Sequence, residues 1–190
     1  MGRNTRYLCI GLVSLAIGAR CQAQAPTRSP DIPPADPTSR LRPASAVEAS
    51  VIEDGLCRSA TFRSLIAALE TSDVIVYVSM RLIPDRRLNG GLQFIGATTT
   101  DRILRVMLRF PLERYARMAM LGHELQHAIE VAGAPEIRSQ KSFEDYYRRN
   151  GMPGATESGY ETDAARRTEV RVREEGAQRF TACGSHTPQR

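Results

Sequence analysis

The chain has no tryptophan, one lysine (Lys141) and three histidines among 190 residues, and aromatic side chains are only 6% of it. Four cysteines are too few for a scaffold built from disulfides. No apolar run reaches the roughly 20 residues that a membrane-spanning helix needs. What is present is ordinary for a folded domain: 42% apolar and 25% charged residues, which excludes a wholly disordered chain. With so few rings, the core must be mainly aliphatic. The length suits one domain.

The formal charge is +5, but three arginines (Arg3, Arg6, Arg20) fall in an N-terminal segment expected to be removed. Residues 26–190 then carry 23 basic against 21 acidic residues. The basic residues are scattered, not gathered into a surface that could follow phosphates, so no nucleic-acid partner is expected.

Residues 1–25 read as a secretory signal peptide. Arg3 and Arg6 form a positive start, Tyr7 to Ala19 is an uncharged, mostly apolar run, and Ala23-Gln24-Ala25 places small residues at a cleavage site. The implied location is secreted or periplasmic, with no stable membrane span. Export leaves Cys57 and Cys183 in an oxidising compartment, where a disulfide between them is the expectation. Residues 26–45 hold six prolines and no apolar period, the pattern of a linker.

The folded domain is expected over 46–190. Ser59 to Thr61 caps a helix carrying Phe62, Leu65, Ile66 and Leu69. A β-branched run starting at Val74 predicts a strand, and strands are also expected over 92–98 and 103–110. Pro111 fits the first turn of a new helix, followed by helical spacing from Leu112 to Val131. A short helix is expected over 143–149, a loop over 151–159, and a long helix from Tyr160 to Phe180. That order defines an α+β domain.

The central helix contains His123-Glu124-Leu125-Gln126-His127. Four residues make slightly more than one helical turn, so both imidazoles leave the same face and can bind one Zn²⁺. Glu124 sits beside that metal and can accept a proton from a water that the metal polarises. Two histidines leave zinc short of a third protein ligand and an open position.

This HExxH motif, in its helix after a small sheet, resembles the zincin metallopeptidases. The resemblance implies a mixed or antiparallel sheet packed on the active-site helix, a C-terminal helix, and hydrolysis of peptide bonds. By analogy of element order, 103–110 would be the sheet edge that holds extended substrate. Gly133 is out of place for the metzincin branch and no third histidine follows. The gluzincin branch uses a later Glu, and Glu161 at the start of the last helix is the candidate. That branch carries Asp four residues after the ligand, where this chain has Ala165. Asp163 stays open as the ligand or as an acid that orients a histidine, with Glu157 and Glu169 behind it.

The other candidates have plainer readings. His186 lies in a polar tail. Tyr146, Tyr147 and Tyr160 could offer a phenol to an oxyanion, but such tyrosines more often pack with the hydroxyl at the surface. Met107, Met118 and Met120 read as core, and Arg166, Arg167, Arg171 and Arg173 as a solvated helix face. The functional expectation is an exported zinc metallopeptidase acting on peptide or protein. The alternative is a metal-containing domain that binds a peptide or envelope partner without cleaving it. A third reading has no metal, with HExxH a coincidence.

Overall fold

A computed structural model describes residues 39–154 and 159–178. Along the chain these form β1 (Leu41–Pro43), α1 (Ala46–Arg58), α2 (Ala60–Glu70), β2 (Val74–Arg81), β3 (Gly90–Ala97), β4 (Arg102–Arg109), α3 (Arg114–Ala132), α4 (Gln140–Asn150), β5 (Met152–Pro153), β6 (Tyr160–Glu161) and α5 (Asp163–Ala177). The domain is α+β. Signal segment 1–25, most of the linker, Glu157, Cys183 and His186 lie outside the described residues. Cys57 is disulfide-bonded.

The main sheet has the order β1-β2-β4-β3. β1 and β4 run parallel to β2, and β3 runs antiparallel to β4. Val74, Val76 and Val78 of β2 alternate inward with Leu104, Val106 and Leu108 of β4, and all six are fully buried. Side chains on a strand point to alternate faces, so this one face can meet the helices. Phe62 and Leu69 of α2, Met118, Leu121, Leu125 and Val131 of α3, and Val172 of α5 complete the aliphatic core.

Two anchors hold α3 in place. At its start, Glu113 is the N-cap and accepts from the backbone N–H of Tyr115 and Ala116, each at 3.0 Å. At its end, the buried Arg102 donates to the carbonyls of Val131 (2.6 Å) and Ala134 (2.7 Å), and to Asp73 at 2.9 Å through Nε. A guanidinium at a helix C-terminus meets carbonyls that have no partner inside the helix. α5 then packs closely on α3. A Cβ on Gly122 would stand 2.9 Å from Val172 Cγ2, and Ala119 and Ala165 are fully buried.

Several expectations change. The folded part begins before residue 46, because Leu41–Pro43 pairs with β2 from within the Pro-rich segment. α1 has no counterpart in the sequence reading. Its Gly55 lies under the ring of Phe62, 2.6 Å from where a Cβ would be, so a small residue there serves packing. Helix α3 starts at Arg114, not at Pro111. The last helix starts at Asp163, after a short strand that contains Glu161. The strand before α3 is interior, because β4 lies between β2 and β3. The sheet edge beside the motif helix is therefore β3.

Candidate metal centre

His123, Glu124 and His127 are all buried on α3. The β5–β6 hairpin brings the third residue to them. Met152 pairs with Glu161 and Pro153 with Tyr160, and Gly154 N–H donates to the Gly159 carbonyl at 2.8 Å. Gly151 admits this hairpin: a Cβ there would lie 2.8 Å from the Tyr147 carbonyl and 3.1 Å from that of Glu161.

Glu161 Oε1 lies 3.0 Å from His123 Nε2 and 3.2 Å from His127 Nε2. One ligand atom from each residue can be chosen so that all three lie within 4.8 Å of one another. Bonds of about 2.0–2.1 Å to a tetrahedral zinc would put neighbouring donors about 3.3 Å apart. Two imidazoles and one carboxylate at these separations fit such an ion. Among the described residues, this is the group of His, Cys, Asp and Glu side chains that could hold a metal. Asp163 is exposed on the first turn of α5 and is not part of it.

Both histidines are backed by a carboxylate on their other nitrogen. His127 Nδ1 is 2.9 Å from Glu130 Oε2. His123 Nδ1 is buried without an aligned hydrogen-bond partner, and Glu169 Oε2 stands 3.3 Å from it. Glu169 is in turn paired with Arg173 at 2.8 Å. Such carboxylate–histidine contacts fix the tautomer and the ring orientation of a metal-binding histidine. Glu130 is absent from the sequence reading, although its place three residues after His127 puts it on the same helix face. Glu169 is read from the sequence as a remaining candidate ligand and as a partner for the arginines of the last helix, and it does pair with Arg173. Ala165, where an orienting acid was looked for, is fully buried.

Negative charge is in excess here. Burial works against a charged imidazole at His123, but the Glu161 and Glu169 carboxylates outweigh it and raise its pKa to about 10. His127 is likewise opposed by burial and held up to about 9 by Glu130 and Glu161. Burial pushes Glu161 upward, yet the two histidines bring it down to about 2. Glu124 is raised, chiefly by its own burial. The surrounding carboxylates thus favour positive charge at this point, the condition a cation needs.

The group opens into a cleft of about 1030 Å³ whose walls are β3, α4 and the β6 hairpin. Gly90 of β3 passes beside the motif, and a Cβ on it would lie 2.9 Å from Glu124 Oε1 and 2.8 Å from Met120 Cγ. The absence of a side chain at Gly90 thus lets the strand approach Glu124. An aromatic row, Phe94–Phe143–Tyr147–His127, lines the α4 side with ring centroids 5.0–6.2 Å apart. Tyr147 is buried and donates to the His127 carbonyl at 3.0 Å, so its phenol supports the helix and does not face a substrate. Tyr146 packs edge-on against it. Tyr160 lines the cleft.

Comparison of the chain with protein-family models, with curated proteins and with solved structures gives no match. No helix among the described residues is long and apolar enough to cross a membrane.

Proposed function

We propose that the protein is an exported zinc-dependent peptidase with a gluzincin-like, zincin-type domain. His123, His127 and Glu161 would hold the metal, and Glu124 would handle the proton. The observation that carries this reading is the convergence of Glu161 Oε1 on both Nε2 atoms, at 3.0 and 3.2 Å, beside a Glu124 that borders the cleft. A zinc ion bound there supplies Lewis acidity that polarises a water and a substrate carbonyl.

The chain's own residues do the rest. Glu124 takes a proton from the attacking water and passes it to the leaving nitrogen. Burial raises its pKa, which favours a carboxylate able to both accept and release that proton. Among the described residues no strand pairs with the outer edge of β3. Its free N–H and C=O groups can receive an extended peptide as an added strand.

A small domain with little wall for a cleft, and the lack of an acid at position 165, would favour the alternative of a metal-holding domain without turnover. A cleft of about 1030 Å³, and Glu130 and Glu169 behind the histidines, support the peptidase reading over it. The test is Glu124→Gln, assayed on a peptide library beside its zinc content. Glu124→Gln should keep zinc and lower turnover by about 10²–10⁴-fold. Wild-type turnover in this variant would rule the mechanism out.

A further inference from the structure

We propose that Glu130 and Thr162 form a positioning relay that locks His127 and Glu161 into register. The inference rests on reading His123, His127 and Glu161 as metal ligands, and it concerns two residues that are not themselves ligands.

The contacts form a closed circuit. Glu161 approaches His127 on Nε2 at 3.2 Å. Glu130 Oε2 lies 2.9 Å from the opposite nitrogen, Nδ1. The second oxygen of Glu130, Oε1, accepts a hydrogen bond from Thr162 Oγ1 at 2.7 Å. Thr162 is the residue after Glu161. The Glu161–Thr162 pair therefore grips both sides of the His127 ring, directly on one side and through Glu130 on the other.

Thr162 can serve this circuit and cap α5 at the same time. A hydroxyl has one proton to give and two lone pairs to accept with. The proton goes to Glu130, and a lone pair accepts from Ala165 N–H at 3.1 Å. The same hydroxyl thus sets where α5 begins and where Glu161 stands relative to α3. On the histidine, an acceptor at Nδ1 holds the proton there and leaves the Nε2 lone pair for a metal. The Glu130 side chain is only 13% exposed, so water competes little for these bonds. The Glu169 contact to His123 is longer and lacks hydrogen-bond alignment, which leaves the His127 side as the tighter of the two.

The test uses the full chain and the variants Glu130→Ala, Thr162→Gly and Thr162→Ser. The zinc dissociation constant is measured by competition with a chelator. The His127 Nδ1 proton is followed by NMR in the metal-free protein. Glu130→Ala should weaken zinc binding about 10–100-fold, as loss of a ligand-orienting acid does. Thr162→Gly should weaken it about fivefold, the worth of one hydrogen bond, and it should still fold because glycine is a tolerated N-cap. Thr162→Ser should match wild type. The Nδ1 proton should exchange slowly in wild type and Thr162→Ser, faster in Thr162→Gly, and fastest in Glu130→Ala. A wild-type zinc constant or a wild-type Nδ1 proton in Glu130→Ala or in Thr162→Gly overturns the relay. A wild-type chain that binds no zinc would defeat the metal reading instead, and the Nδ1 proton would still decide the relay.

Discussion

At the C-terminal end of α3, the Arg102 side chain is 1% exposed, yet its donors are met by Asp73 and by three carbonyls, Val131, Ala132 and Ala134. One and two turns earlier on the same helix, the side chains of His127 and His123 are 6% and 7% exposed, and their surroundings are unbalanced. Glu124, Glu130, Glu161 and Glu169 crowd two imidazoles, and one ring nitrogen has no aligned partner. A buried charge fully met by fixed partners is costly to break from one side. Buried carboxylates in excess, with histidine nitrogens turned toward one of them, make a place for a cation.

The sharpest way to break that contrast is to remove a charge from each place. Arg102→Met should cost about 2–4 kcal/mol of unfolding free energy, because it leaves the buried carbonyls of Val131 and Ala134 without their donor. Glu161→Ala in the metal-free protein should cost less, because Glu130 and Glu169 still face the two imidazoles and the excess of carboxylates is relieved. Urea unfolding of the two variants checks this, and equal losses would erase the distinction. Next in size is the effect of metal. Zinc at about 100 times its dissociation constant should stabilise the wild-type chain by about 2.7 kcal/mol. It should stabilise Arg102→Met, where that variant folds, by a similar increment and Glu161→Ala by much less.

The smallest effect is in pH. The Arg102 hydrogen bonds hold the Asp73 carboxyl below its usual range. A group whose folded pKa is depressed stabilises above its unfolded value, about pH 4, and that contribution is lost as pH falls through the folded value. The Asp73 side chain is 34% exposed, so solvent screening limits the contribution to about 0.5–1 kcal/mol. The stability gap between wild type and Asp73→Asn should be constant from pH 8 to 5 and shrink below pH 4. A gap that widens in acid would reverse the sign of this argument.

The residues around Arg102 were not legible in the sequence, and those of the candidate cation site largely were. His123, Glu124 and His127 announce themselves because one helical turn fixes their geometry. Glu161 could be singled out only through the gluzincin resemblance, which also left Asp163 open. The backing acids depend on how α5 lies on α3. No local pattern says that Glu169, eight residues after Glu161, will reach His123, or that Thr162 will meet Glu130. Arg102 falls in the connection before the strand expected at 103–110, whereas it is the first residue of β4. α1 was hidden by its small residues and by Gly55, which is there to receive a ring. β1 was hidden among prolines, which an edge strand tolerates. The exposed edge at the cleft was assigned to 103–110 because the chain order gives no sign that β4 inserts between β2 and β3.

The most direct test of the central claim is the zinc content of the full chain by elemental analysis, beside His123→Ala and Glu161→Ala. The account predicts one zinc per wild-type molecule and a loss in both variants. No zinc in wild type, or zinc retained in Glu161→Ala, would contradict it.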